Sequence, residues 1–146
     1  MPYRKLLVED EATILDIAAT AHRVVVLGIK PETHADQPAH YVPKYLVDQG
    51  VEVIPVPVYY PAVREILGVP VVRSLREVPP PVDVVCVFRR SEDIPEHVSE
   101  LIAMKPGAVW FQQGIRNDEA AKKLAEAGIA VVQDRCLMIE HRRAVF

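Results

Sequence analysis

The apolar pattern of the chain is clearest in an unbroken run, Val24 to Leu27, that ends at Gly28. A β-branched run without polar alternation is typical of a strand buried on both faces of a parallel sheet. Pro43 follows, and because proline lacks an N–H it suits only the first turn of a helix, so we expect a helix from about Ala39 or His40. A strand, a glycine, a loop and a helix N-terminus form the first βα turn of nucleotide-binding folds.

The glycines of a dinucleotide-binding turn are missing from this loop. A G-x-G-x-x-G motif needs further glycines shortly after Gly28, yet the next glycine is Gly50. We therefore do not expect the turn to hold a pyrophosphate as the glycine-rich NAD turn does. A plain βα connection and a ligand-binding turn are both consistent with this pattern.

Strand-like and helix-like segments alternate along the rest of the chain. Further strands are predicted at 51–56, 82–88, 108–111 and 129–132, with a short edge strand at 69–72. Further helices are predicted at 10–19, 91–104, 118–127 and 136–141, with one helical turn at 74–77. Ser91 and Asn117 are the expected N-caps of two of these helices, and Gly128 is expected at a C′ position.

This alternation predicts an α/β fold, in which helices cover both faces of a parallel sheet. Right-handed crossovers and a reversal of direction give a Rossmann-like three-layer fold with a five-stranded parallel sheet in the order 3-2-1-4-5. The length of 146 residues predicts a single domain, residues 1–146. A ligand is then expected at the carboxyl ends of the strands.

Composition and charge narrow the classes of function. A formal net charge of −3 and the absence of a basic stripe argue against a nucleic-acid partner. No apolar run has the length of a membrane span, and the N-terminal stretch lacks the apolar core of a signal peptide, so we expect a cytoplasmic protein. Cys86 and Cys136 are far apart and lack metal-ligand spacing, so no metal site is predicted.

Polar and aromatic residues follow the predicted strands at the expected ligand-binding edge. The loops carry Lys30, Thr33 and His34, then Pro57, Tyr59 and Tyr60, then Phe88 to Glu92, then Gln112 to Gly114. The adjacent Arg89 and Arg90 suit a polyanionic ligand, because guanidinium groups bind phosphate with two hydrogen bonds. The alternative is that these arginines pair with Glu92 or Asp93. The aromatic residues are candidates to pack on an adenine.

Six stretches together resemble the small stand-alone CoA-binding proteins, which are similar to the CoA-binding domain of the succinyl-CoA synthetase α subunit. In chain order they are VVVLGIKP, QPAHYVPKYLVDQGVEVIPV, SLREVP, FRRSEDIP, VWFQQGIRNDEAAKKLAEAG and VVQDRCLMIEH. The resemblance implies a Rossmann-like domain that binds coenzyme A. The residues expected at the ligand from the resemblance and the loops are Gly28, Ile29, Lys30, His34, Pro38, Val56, Pro57, Phe88, Arg89, Arg90 and Gln113.

The chain departs from this family pattern at two positions. The family often has a small hydroxyl residue near Lys30 and an asparagine near Pro57, and either change removes a potential hydrogen bond to the ligand. The phosphorylated histidine of the synthetase belongs to a later domain that the resemblance does not reach. Ligase chemistry is therefore not expected.

No catalytic triad signature is visible among the histidines, and His97 is interpreted as a solvated surface residue. Cys136 follows Asp134 and Arg135, which allows two interpretations: a reactive thiol, or a small buried residue that packs the last turn. We predict a binder of coenzyme A or an acyl-CoA that acts as a carrier, sensor or regulator without catalysis. The alternatives are a subunit of an acyl-CoA-using or NAD-dependent enzyme completed by a partner, and a structural partner of another protein.

Overall fold

A computed structural model describes residues 3–146 as a five-stranded parallel sheet with helices on both faces. The strands are β1 (Arg23–Leu27), β2 (Glu52–Val56), β3 (Glu65–Ile66), β4 (Val69–Pro70), β5 (Val84–Val87), β6 (Ala108–Phe111) and β7 (Ala130–Val132). The helices are α1 (Glu11–Thr20), α2 (Pro38–Asp48), α3 (Val98–Met104), α4 (Asp118–Glu126) and α5 (Leu137–Val145). The predicted α/β, Rossmann-like fold class is confirmed.

The predicted strand order 3-2-1-4-5 is wrong. The sheet runs β2-β1-β5-β6-β7, which is 2-1-3-4-5 in the count of the five predicted strands. The short antiparallel pair of β3 and β4 and the chain after it occupy the outer side of β2, where the N–H of Val72 donates to the carbonyl oxygen of Pro55 at 2.9 Å. On its side opposite β2, β1 pairs with β5.

Each strand of the sheet contributes to an apolar layer on both of its faces. Val24 and Val26 belong to one core cluster, whereas Val25 and Leu27 belong to the other. All four of these β1 side chains are buried. The prediction from the unbroken apolar run is therefore confirmed, because alternate residues of a strand point to opposite faces.

Helix α2 begins earlier than predicted, because Pro38 rather than Pro43 lies in its first turn. Pro43 is inside the helix, and its missing N–H would have paired with the carbonyl oxygen of Ala39 in a regular helix. That oxygen accepts a hydrogen bond from the N–H of Lys30 at 3.1 Å instead. The proline is thus tolerated because the loop after β1 supplies the missing donor.

The predicted helix at 91–104 is divided in two. A 3-10 helix covers Ser91–His97, where Pro95 interrupts the α-helical pattern, and α3 follows it. Ser91 does not cap the helix, because its hydroxyl donates to the carbonyl oxygen of Arg116 at 2.6 Å. The predicted cap of α4 is confirmed, since the side chain of Asn117 accepts from the N–H of Ala120.

Candidate functional site

Two adjoining clefts lie at the carboxyl edge of the sheet. The β2 cleft, of about 500 Å³, is lined mainly by apolar residues that include Leu27, Val56, Pro57, Tyr59 and Leu75. The β6 cleft, of about 580 Å³, is lined by residues of four segments: Lys30, the start of α2, Phe88 to Glu92, and Gln112 to Ile115. Both clefts are where an open α/β sheet places its ligand.

The turn after β1 passes between the two clefts, because Leu27 lines one and Lys30 lines the other. The N–H of Gly28 donates to the carbonyl oxygen of Val56 at 2.9 Å, and the N–H of Phe88 donates to the carbonyl oxygen of Leu27 at 2.8 Å. These bonds hold the ends of β1, β2 and β5 together. The turn is therefore held firmly between Leu27, which lines one cleft, and Lys30, which lines the other.

His40 fixes the far end of the same loop. Its side chain is only 2% exposed, and its Nδ1 lies 2.9 Å from the carbonyl oxygen of Lys30. A carbonyl oxygen can only accept, so the proton is on Nδ1. The Nζ atom of Lys30 donates to Oε1 of Gln37, the residue before α2. A cation is thereby held beside the first turn of α2, where the helix dipole also favours an anion.

The paired arginines border a cleft and also form ion pairs with neighbouring carboxylates. Arg89 and Arg90 line the β6 cleft, as expected for ligand contacts. They also form ion pairs: Arg89 with Glu96 at 2.9 Å and Arg90 with Asp93 at 3.0 Å. The side chain of Arg89 is 19% exposed and that of Arg90 is 76% exposed. Only Arg89 is therefore held in a position that the surrounding protein largely fixes.

The interpretation of His97 as a solvated surface residue is wrong. His97 is partly buried and lines the β2 cleft, and its Nε2 accepts from Nε of Arg89 at 3.2 Å. Burial lowers the pKa of His97 below its ordinary value, and the positive charge of Arg89 lowers it further. The sequence placed both residues on one short segment, but it did not show that their side chains meet between the two clefts.

An exposed loop borders the β2 cleft and carries two aromatic residues. The Arg73 guanidinium donates to the carbonyl oxygens of Tyr59, Tyr60 and Val63. The Tyr59 and Tyr60 rings pack edge to face, with centroids 5.2 Å apart. Tyr59 is 74% exposed and lines the cleft. The loop therefore presents an aromatic surface, and the Arg73 side chain holds the loop backbone in place.

Two glutamines line the β6 cleft. Gln113 lies there as predicted, with its side chain exposed. Gln112, which was not singled out among the expected contacts, also lines the cleft although it is buried. Its Oε1 accepts from the N–H of Leu137 at 3.3 Å and from the thiol of Cys86 at 3.6 Å.

Three of the expected contacts lie outside the lining of both clefts. The side chain of Ile29 is buried in the core. His34 contacts Tyr60 edge to face and Thr33 through its Nδ1. Gly28 has no side chain and lines neither cleft, and its backbone N–H is bonded to Val56. The remaining eight expected residues line one cleft or the other, and they are Lys30, Pro38, Val56, Pro57, Phe88, Arg89, Arg90 and Gln113.

Cys136 belongs to the core, which confirms the packing interpretation. It is buried immediately before α5 and belongs to one core cluster together with Val132 and Leu137. It lines neither cleft. A reactive thiol would need access that this position does not provide.

Within residues 3–146, no helix combines the length and apolarity that a membrane crossing requires. The same residues contain no group of three or more histidine, cysteine, aspartate or glutamate side chains that could hold a metal ion.

The fold is that of the Rossmann-like class of α/β proteins, and the sequence pattern of the CoA binding domain family matches residues 22–142. The chain belongs to this family. It is 38% identical over 132 residues to the uncharacterized protein YneT of Bacillus subtilis (strain 168), an alignment that covers 90% of this chain and 94% of that protein.

Solved structures of similar proteins share the fold. The cell-free ID.343 protein of Thermus thermophilus is 41% identical and superposes with a TM-score of 0.83, covering 93% of this chain and 99% of that one. A hypothetical protein from Pyrococcus horikoshii OT3 is 33% identical and also has a TM-score of 0.83, with 94% of each chain covered.

Proposed function

We propose that the protein binds coenzyme A, or an acyl-CoA, along the carboxyl edge of its sheet, with residues 1–146 acting as one domain. Its role is that of a carrier, sensor or regulator rather than an enzyme. Membership of the CoA binding domain family supports the ligand. The observation that carries the proposal is the pair of adjoining clefts, one apolar with an aromatic border and one with cations beside a helix N-terminus.

The two clefts together suit the adenine, the diphosphate and the pantetheine arm of the ligand. The apolar walls of the β2 cleft, with Tyr59 at its border, suit a flat adenine, because aromatic rings stack on it. Lys30 and the first turn of α2 suit the diphosphate. From there the pantetheine arm follows the β6 cleft, where Phe88 offers an apolar surface and Gln113 an amide.

A nicotinamide dinucleotide is a weaker candidate for the same edge. Its pyrophosphate needs a turn with several glycines so that the backbone approaches it closely. Here the residues after Gly28 are Ile29 and Lys30, and the side chain of Ile29 is packed in the core. An NAD-dependent activity completed by a partner chain is therefore the second hypothesis, and the choice of ligand separates it from the first.

A thermal-shift comparison tests the proposal. The dialysed protein is heated with CoA, NADH or ATP at equal concentrations. A ligand that binds only the folded state raises stability by RT ln(1 + [L]/Kd), roughly 2.7 kcal/mol at a hundredfold excess over Kd. A rise in Tm with CoA that NADH and ATP do not reproduce supports CoA binding. An equal rise with NADH, or no rise with CoA, rejects it.

A further inference from the structure

Gln112 carries a hydrogen-bond donor that nothing in the described protein uses. Gln112 is 3% exposed. The N–H of Leu137 and the thiol of Cys86 both donate to its Oε1. A backbone N–H can only donate, so the group facing Leu137 must be the oxygen and the orientation of the amide is settled. The opposite end of the amide, Nε2, has two N–H groups.

The position of Nε2 follows from the remaining contacts. Within residues 3–146, no fully buried side-chain nitrogen or oxygen lacks a hydrogen-bond partner. Nε2 is not engaged with any protein acceptor in that part of the chain, so it is not sealed in the core. Since Gln112 lines the β6 cleft and its Oε1 is turned toward Leu137 and Cys86, we infer that Nε2 faces that cleft. A donor with so little exposure is costly to leave unpaired, so a ligand or water is expected to accept from it.

The amide therefore presents donors alone to a ligand. Its acceptor oxygen is already used twice on the core side. A pantetheine amide offers both an acceptor and an N–H, and such a donor-only partner satisfies half of it. A free thiol is a weak acceptor. A thioester offers a carbonyl oxygen and no N–H, and it matches the donor-only surface.

We propose that Gln112 donates from Nε2 to the thioester carbonyl oxygen of a bound acyl-CoA, and that acyl-CoA is consequently preferred over free CoA. This proposal rests on the proposed CoA function and adds the class of ligand. No bond forms or breaks in it. Gln112 acts as a specificity-determining residue, and its amide is held in place by Leu137 and Cys86.

Calorimetric titration of the full chain with three ligands tests it: acetyl-CoA, CoA, and adenosine 3′,5′-bisphosphate, which lacks the pantetheine arm. The wild-type protein is expected to bind acetyl-CoA about threefold to tenfold more tightly than CoA, as one net hydrogen bond implies. Gln112→Met removes the donor and is expected to bind both equally. Its affinity for adenosine 3′,5′-bisphosphate is expected to stay as in the wild type.

Cys86→Ala is the matched control, because it disturbs the same amide from the core side and keeps Nε2. It is expected to retain the preference for acetyl-CoA. If Gln112→Met binds CoA and acetyl-CoA more weakly by the same factor and its affinity for the bisphosphate is unchanged, the contact is with a pantetheine carbonyl. That result overturns the thioester assignment. Equal weakening of all three ligands shows a structural role and also overturns it. A wild-type protein that binds none of the three contradicts the proposed function itself.

An infrared measurement provides the same test if Gln112→Met does not fold. The thioester carbonyl of acetyl-CoA is labelled with ¹³C, and its stretching band is compared free and bound to the wild-type protein. A hydrogen bond from Nε2 is expected to shift the band to lower frequency. A bound ligand with an unshifted band overturns the proposal.

Discussion

The Cα atom of Gly28 lies against the carbonyl oxygen of Phe88, so that a Cβ on Gly28 would be 2.2 Å from that oxygen. Gly28 also has a φ of +88°, a conformation that residues with side chains seldom adopt. Glycine is thus required here for two separate reasons. The contact keeps the turn between the two clefts narrow and joins the ends of β1 and β5.

Gly28→Ala is expected to destabilise the fold more than Gly50→Ala does. Gly50 has a φ of +84°, but no neighbouring atom lies within 4 Å of the position that a Cβ would take, so it tests the conformational cost alone. That cost is about 1–2 kcal/mol, and the overlap at Gly28 adds about 1–3 kcal/mol. Urea unfolding of both variants measures the difference. Equal destabilisation would show that the contact with Phe88 relaxes freely.

The general architecture was accessible from the sequence because its signals are local. The apolar run of β1 predicts a buried parallel strand, and Asn117 and Gly128 mark the ends of α4 by their capping chemistry. The order of the strands was not accessible in this way. No local signal shows which strands β1 has as its neighbours, or that the segment after β4 covers the outer edge of β2 through the hydrogen bond from Val72 to Pro55.

Part of the candidate site was also predicted from local signals in the sequence. Residues that follow strands, such as Lys30 and Phe88, reach the expected edge because parallel strands end together. His97 and Gln112 were missed because their roles depend on partners. His97 is recognised only by its contact with Arg89, and Gln112 by the contacts that use up its oxygen.

Arg89→Ala is expected to weaken CoA binding by about 1.5–3 kcal/mol, the range of a hydrogen bond to a charged group. Arg90→Ala is expected to have a smaller effect, because the Arg90 side chain is mostly exposed and solvent screens its charge. Arg116→Ala is the control, since Arg116 lines neither cleft. Calorimetric titration of the three variants with CoA measures this order. A larger loss for Arg90→Ala than for Arg89→Ala contradicts it.

The free energy of unfolding is expected to fall as the pH drops below about 6.5, the ordinary pKa of histidine. Burial, together with Arg89, lowers the pKa of His97, and burial lowers the pKa of His141. The unfolded chain therefore binds more protons than the folded chain between these lowered pKa values and 6.5, so protonation favours unfolding there. Above about pH 6.5, these two histidines contribute no pH dependence to the free energy of unfolding.

Urea unfolding from about pH 7.5 to about pH 5.5 measures this slope, because the range lies above the titration of most carboxylates. In the double variant His97→Gln with His141→Gln, the free energy of unfolding is expected to depend less on pH than in the wild type. An unchanged slope in the double variant would show that neither histidine is responsible.

A crystal structure of the protein with CoA tests most directly whether one ligand spans both clefts. The predicted result is one CoA per chain, with its adenine in the β2 cleft beside Val56 and Pro57. Its diphosphate is expected at Lys30 and the start of α2, and its pantetheine arm is expected along the β6 cleft toward Gln113. A CoA molecule that occupies only one of the two clefts, or that is bound away from the carboxyl edge of the sheet, would contradict this account.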